Sequence, residues 1–128
     1  MALVVLDASV LIALLDPDDA LHAPAKTGFH AVEDGDLVLP ASALSETLVL
    51  PARAGRAAQV RAQIDLLRIR IEPLSESAAA VAAELRGRHP SLRLPDALIL
   101  ATGDVLDADA ILTADRRWTA WSDRVRLI

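Results

Sequence analysis

The sequence predicts an α/β fold: a three-layer α/β/α sandwich around a short central parallel sheet, in one domain spanning residues 1–128. Three observations carry that expectation. Leu3-Val4-Val5-Leu6 is an unbroken apolar run without alternation, the pattern of a strand covered on both faces, as in a parallel sheet. Short apolar or alternating runs recur at Leu37–Leu39, Ile69–Ile71 and Ala110–Thr113. Between them lie stretches of helical spacing, several rich in Ala, the best helix former; short strands alternating with helices argue for a parallel sandwich.

In chain order, the first strand ends at Asp7, and Val10–Leu15 suits a short buried helix stopped by the turn Asp16-Pro17-Asp18-Asp19. His22–Val32 forms a second helix that ends near Gly35, and Leu37–Leu39 makes the second strand before Pro40. Ser42–Arg53 reads as helix, interrupted at Pro51 because proline lacks the backbone donor. Gly55 marks a break. Arg56–Leu67 then places Val60, Ile64 and Leu67 on one helical face. Ile69-Arg70-Ile71 alternates and suits a third, more exposed strand. Ser75-Glu76-Ser77 opens an Ala-rich helix to about Arg88, and Leu98, Ala101 and Val105 mark another beyond Pro95. Ala110–Thr113 is the fourth strand, Trp118 and Trp121 share a short helix, and Val125–Ile128 supplies an edge strand.

Composition narrows the chemistry. A chain of this length buries about two-thirds of its unfolded surface, and its hydrophobic content of 53% with only 2% aromatics makes the core aliphatic. With no cysteine, disulfides, thiolate metal sites and cysteine nucleophiles are excluded. No signal peptide is expected, and no uncharged run approaches the ~18 residues of a membrane span, so a cytoplasmic location is expected. The net charge of -5 argues against tight binding to long nucleic acid through its backbone, but leaves room for an Arg-lined groove leading to an acidic pocket.

Four carboxylates stand where strands end or helices begin. Asp7 follows the first strand, Glu46 lies early in the helix after the second, Asp96 follows Pro95 at a helix start, and Asp115 follows the fourth strand by one residue. Each has an ordinary explanation: Asp7 or Ser9 caps a helix, Glu46 is a solvated helix residue, Asp96 suits a helix dipole, and Asp115 caps the residues from Arg116 onward. Their joint placement adds another. In a right-handed parallel sheet the loops after the strands open on one edge, where crevices form. Two carboxylates ~4 Å apart repel by about 4 kcal/mol at an effective dielectric of about 20, so such a cluster needs a cation, shared protons or salt bridges. All-oxygen ligands without Cys or a His cluster point to Mg²⁺ or Mn²⁺, and such a site supports phosphodiester hydrolysis. Arg116 and Arg117, beside Asp115, are placed to hold a phosphate, because Arg engages phosphate bidentately.

Val5-Leu6-Asp7-Ala8-Ser9-Val10-Leu11, followed by a helical Glu46, resembles the opening of a PIN domain. Leu94-Pro95-Asp96-Ala97 and Leu112-Thr113-Ala114-Asp115-Arg116-Arg117-Trp118 resemble its later motifs. Their order is most similar to the VapC toxins of bacterial toxin–antitoxin pairs, and the resemblance covers essentially the whole chain. It implies a PIN-like sandwich and a Mg²⁺- or Mn²⁺-dependent endoribonuclease that hydrolyses RNA, is held inactive by a cognate antitoxin and forms a homodimer. It implies that Asp7 and Asp96 are the principal metal ligands, that Asp115 completes the site directly or through water, and that Glu46 binds metal or orients the attacking water. Ser9 and Thr113 would hydrogen-bond the ligands. Ala114 departs from the pattern by leaving nothing polar beside Asp115.

Other residues have plainer expectations. Asp104, Asp107 and Asp109 read as a solvated helix end and turn; Asp16, Asp18 and Asp19 as turn residues. His22, His30 and His89 show no ligand spacing, and the two tryptophans suit core packing better than base stacking. Arg53, Arg56, Arg61 and Arg68 are either solvated or line an RNA path. Two other classes compete with the nuclease. A phosphotransfer domain would use a strand-end Asp as phosphoacceptor, but haloacid-dehalogenase-like phosphatases need an Asp where Ser9 stands, and receiver domains need a late lysine whereas the only lysine is Lys26. A non-catalytic module would keep the acids as a fold feature or a docking site for a partner protein.

Overall fold

The computed structural model describes all residues, 1–128. Its strands are β1 (Leu3–Leu6), β2 (Asp36–Pro40), β3 (Ile69–Glu72), β4 (Ala110–Thr113) and β5 (Val125–Leu127). Its α-helices are α1 (Ala8–Leu15), α2 (His22–Val32), α3 (Ala41–Arg53), α4 (Ala57–Leu66), α5 (Glu76–Arg88) and α6 (Leu94–Val105), and a 3-10 helix spans Arg116–Ala120. The strands form one sheet in the order β3-β2-β1-β4-β5, with every ladder parallel.

The burial of each strand follows from its place. β1 is central, and its residues Val4, Val5 and Leu6 are buried without alternation, as the sequence predicts. β3 and β5 are the edges, where Arg70 and Arg126 face solvent. Leu6 pairs with Leu112 across β1 and β4, so the next residues, Asp7 and Thr113, emerge side by side at the carboxyl edge of the sheet.

Helices α1 to α4 connect strands that step one way across the sheet, and α5 and α6 carry the chain back from β3 to β4. Right-handed crossovers therefore place the two groups on opposite faces. The packing agrees: α1 lies against α2 and α3, α3 against α4, and α5 against α6. A single hydrophobic cluster joins both layers through the sheet, aliphatic apart from Phe29 and Trp118. The three-layer arrangement is thus the one expected. Trp118 is 1% exposed, so it packs in the core and offers no stacking face, and Trp121 lies half-buried against the same cluster.

Two local expectations need correction. α3 is not interrupted at Pro51 but runs to Arg53. Pro51 sits in the last turn, and the break comes at Ala54, whose N–H reaches Leu50 and Pro51 carbonyls, followed by Gly55 at φ 70°. The short helix carrying Trp118 is a 3-10 turn that stops before Trp121.

Candidate active site

The site is assembled at the carboxyl edge of the sheet. Asp7 follows β1 directly and is 7% exposed. Its Oδ2 accepts hydrogen bonds from Ser9 Oγ at 2.7 Å and Thr113 Oγ1 at 2.8 Å. Ser9 Oγ in turn accepts from the Ala114 N–H at 3.1 Å, and Thr113 Oγ1 from the Asp115 N–H at 3.1 Å. These bonds tie the ends of β1 and β4 into one polar lattice around a buried carboxylate. Burial raises the Asp7 pKa; the Ser9 and Thr113 hydroxyls, with the Ala8 and Ser9 backbone, pull it partly back.

Two helices deliver the next carboxylates. α3 starts directly after β2, which sets Glu46 in its second turn at the solvent-facing rim. Asp96 lies in the first turn of α6, half-buried, with Pro95 at the helix start, where its missing N–H costs nothing. Partial burial raises the Glu46 pKa, and the charges of Asp7 and Asp96 raise it further. Burial likewise raises Asp96, helped by Asp7 and Asp115. These mutual influences make the four acids one electrostatic unit, although they come from segments far apart in sequence.

Asp115 behaves differently. It caps the 3-10 helix, its Oδ1 accepting from the Arg117 N–H at 3.0 Å. The Arg117 guanidinium grips both carboxylate oxygens, Nε to Oδ1 at 3.0 Å and Nη2 to Oδ2 at 2.7 Å. That pairing holds the Asp115 pKa below the usual carboxylate range.

The PIN domain family model matches residues 4–122. The chain belongs to the PIN domain family. No curated protein matches its sequence. Solved structures share the PIN fold at low identity. The Mycobacterium tuberculosis toxin VapC20, described as cleaving the sarcin–ricin loop, is 23% identical, with 91% of this chain and 93% of that chain covered and a TM-score of 0.76. A toxin–antitoxin complex from Klebsiella pneumoniae is 23% identical, covering 96% of this chain and 95% of the other, with a TM-score of 0.79. VapBC2 from Rickettsia felis, solved with a fragment of promoter DNA, is 13% identical over 98% of this chain and 97% of that one, with a TM-score of 0.75.

Within this PIN site the sequence-derived residues divide. Asp7, Ser9 and Thr113 form the hydrogen-bonded base, and Glu46, Asp96 and Asp115 surround it within electrostatic reach. No three of the acids stand together as a ready-made metal cage. The sequence suggested a tighter cluster; Arg117 takes Asp115, and the two hydroxyls take Oδ2 of Asp7. The donor set still fits a hard divalent ion, because Mg²⁺ is commonly held by one or two carboxylates with water and substrate phosphate completing its shell. Arg117 is committed to Asp115 rather than open to a phosphate, while Arg116 is exposed and makes no ion pair.

The plainer expectations hold. Asp104 and Asp107 pair with Arg124, Asp109 accepts from the Leu3 N–H, and Asp16 and Asp19 accept from Asp18 and Leu21 N–H groups in their turn. His22 bonds the Ala13 carbonyl and His30 pairs with Glu33. The sequence motifs do not point to one further basic residue at this edge. Arg93 lies three residues before Asp96 at the start of α6, and its charge partly offsets the rise that burial and the neighbouring acids impose on Glu46 and Asp96. Its signal in the sequence was only its short spacing from Asp96.

Proposed function

We propose that this single PIN domain, residues 1–128, is a Mg²⁺- or Mn²⁺-dependent endoribonuclease and the toxin of a toxin–antitoxin pair. The observation that carries the reading is the convergence of Asp7, Glu46 and Asp96, from three separate elements, on one sheet edge where each raises or feels the charge of the others. Such a group is tolerable as anions only beside positive charge, and RNA hydrolysis needs positive charge at the same place.

In this mechanism Asp7 and Asp96 would hold the ion, with Asp115 completing the site, and the ion would supply charge to offset that building on the phosphoryl oxygens. Ser9 and Thr113 both donate to Oδ2 and so fix the orientation of the Asp7 carboxylate. Glu46, at the rim and with its pKa raised, orients the attacking water and accepts its proton. Arg117 keeps Asp115 ionised and fixes its direction.

The antitoxin and a second copy of the chain are the expected protein partners. Exposed apolar residues such as Ile12, Leu21, Val49 and Leu50, on or beside α1 to α3, suit a covered surface, and the solved relatives include named toxin–antitoxin complexes. No helix is long and apolar enough to cross a membrane.

The deciding experiment incubates single-stranded RNA with purified protein in Mg²⁺, in Mn²⁺ and in chelator, beside Asp96→Asn. Cleavage that needs the ion, and falls about 100-fold or more in the variant, is the expected result. The ion should also raise the melting temperature of the parent and not of the variant. A parent that binds the ion and cuts nothing supports the non-catalytic module instead.

A further inference from the structure

We propose that Arg93 is the arginine that holds an RNA phosphate beside the acidic cluster, and that Arg117 serves Asp115 instead. The inference rests on the nuclease reading and deepens it.

Two basic residues lead among those acting on the four acids. Arg117 is already used: its guanidinium is bidentate on Asp115, and its backbone N–H is on the same carboxylate. Freeing it for a phosphate would break a charge-assisted pair and leave Asp115 uncompensated. Arg93 is exposed and its side chain makes no hydrogen bond or ion pair, so all five of its N–H donors are available. Its position is nevertheless beside the acids: Arg93 is the N-cap of α6, Asp96 stands in the first turn of that helix, and α3, which carries Glu46, packs against α6.

The backbone beneath that free side chain is firmly placed. Leu92 is fully buried. Its carbonyl accepts from Arg86 Nε at 2.7 Å, and its N–H donates to the His89 carbonyl at 2.9 Å. The Arg93 carbonyl accepts from the Ala97 N–H at 2.9 Å, closing the first turn of α6. An anchored Cα with an unengaged guanidinium suits capture of a ligand, since little of the backbone must be ordered on binding. A partner that satisfies Arg93 without adding charge repulsion to the acids must be anionic and must be neutralised at its own reacting end. A polynucleotide meets both conditions, with one phosphate at the ion and a neighbouring one on Arg93.

The test measures binding of a fluorescein-labelled, mixed-sequence single-stranded oligoribonucleotide to Glu46→Gln protein, which keeps both assigned ion ligands, in Mg²⁺, with and without Arg93→Ala, across a salt series. Cleavage by the parent and by the single variants Arg93→Ala and Arg93→Lys runs alongside. Arg93→Ala should weaken binding about tenfold and flatten the slope of log affinity against log salt by about 0.7, the loss of one phosphate contact on a single strand. KM should rise more than kcat falls. Arg93→Lys should restore the slope while binding more weakly than Arg, because a point charge replaces the fork. If the parent cuts RNA and Arg93→Ala matches it in affinity and salt slope, this assignment is overturned and the nuclease reading stands. If Arg93→Ala shifts only the pH profile of cleavage, Arg93 is a counter-charge for the acids and the assignment is again overturned. A parent that neither binds nor cuts RNA overturns both.

Discussion

Asp7 carries its charge at a cost in the ion-free protein. It is nearly buried, and burial outweighs the two hydroxyl groups that bond it. Replacing it with Asn keeps an acceptor for Ser9 and Thr113 and removes the charge. In chelator, Asp7→Asn should be more stable than the parent near neutral pH, read as a higher melting temperature. In Mg²⁺ the same variant should lose RNA cleavage and the stabilisation by the ion. A variant less stable than the parent in chelator would mean that the carboxylate is not the strained group. At this scale the sequence was partly legible. An acid after an apolar strand, with a hydroxyl two residues on, announces itself. The role of Arg117 did not, because Asp115-Arg116-Arg117 gives no hint that the chain folds back in a 3-10 turn and brings the second arginine onto the first acid.

Helices are set against the sheet by small residues as much as by large ones. Gly103 sits in the last turns of α6, and a Cβ there would overlap Ile111 Cδ1 and come within 2.8 Å of Ile111 Cγ1 on β4. Ala should gain about 1 kcal/mol in helix propensity and lose more through overpacking. Gly103→Ala is therefore expected to destabilise by ~1 kcal/mol or more in urea unfolding. Adding Ile111→Val, which removes the nearest methyl, should recover part of the loss; additive effects of the two substitutions would place the clash elsewhere. The consequence for the site is direct, because α6 carries Asp96 and β4 leads to Thr113 and Asp115. Element order and type were readable from periodicity. The end of α3 was not: Pro51 forfeits the bond its N–H would make to the carbonyl four residues back, yet the helix continues only two residues beyond it, to Arg53, so the loss falls where the helix is ending anyway.

For the whole molecule, the carboxylates link stability to pH. Asp7, Glu46 and Asp96 have folded pKa values above their unfolded ones, so the folded, ion-free protein holds these protons more tightly. Its stability should fall as pH rises from the ordinary carboxylate range through the raised values, and stay lowered above them. Asp115 acts in the opposite sense: its contribution is present above its unfolded value and is lost as pH falls through its depressed one. A divalent ion favours the charged forms, so the rise in melting temperature on adding Mg²⁺ should be larger at about pH 7.5 than at about pH 5. An equal rise at both would detach the ion from these acids. The parallel sandwich was legible because β1 lacks alternation, whereas Arg93 was hidden because only the packed turn before α6 brings it to the acids.

The two rims of the sheet carry a further meaning. Arg70, in the middle of β3, is clamped by Asp36 and Glu72, and Arg126, in the middle of β5, folds onto the Asp123 and Val125 carbonyls. A foreign extended segment that tried to lengthen the sheet would meet a guanidinium at either side. A protein partner should therefore grip its helical surfaces or its acidic mouth, and a concentrated solution should resist ribbon-like self-association.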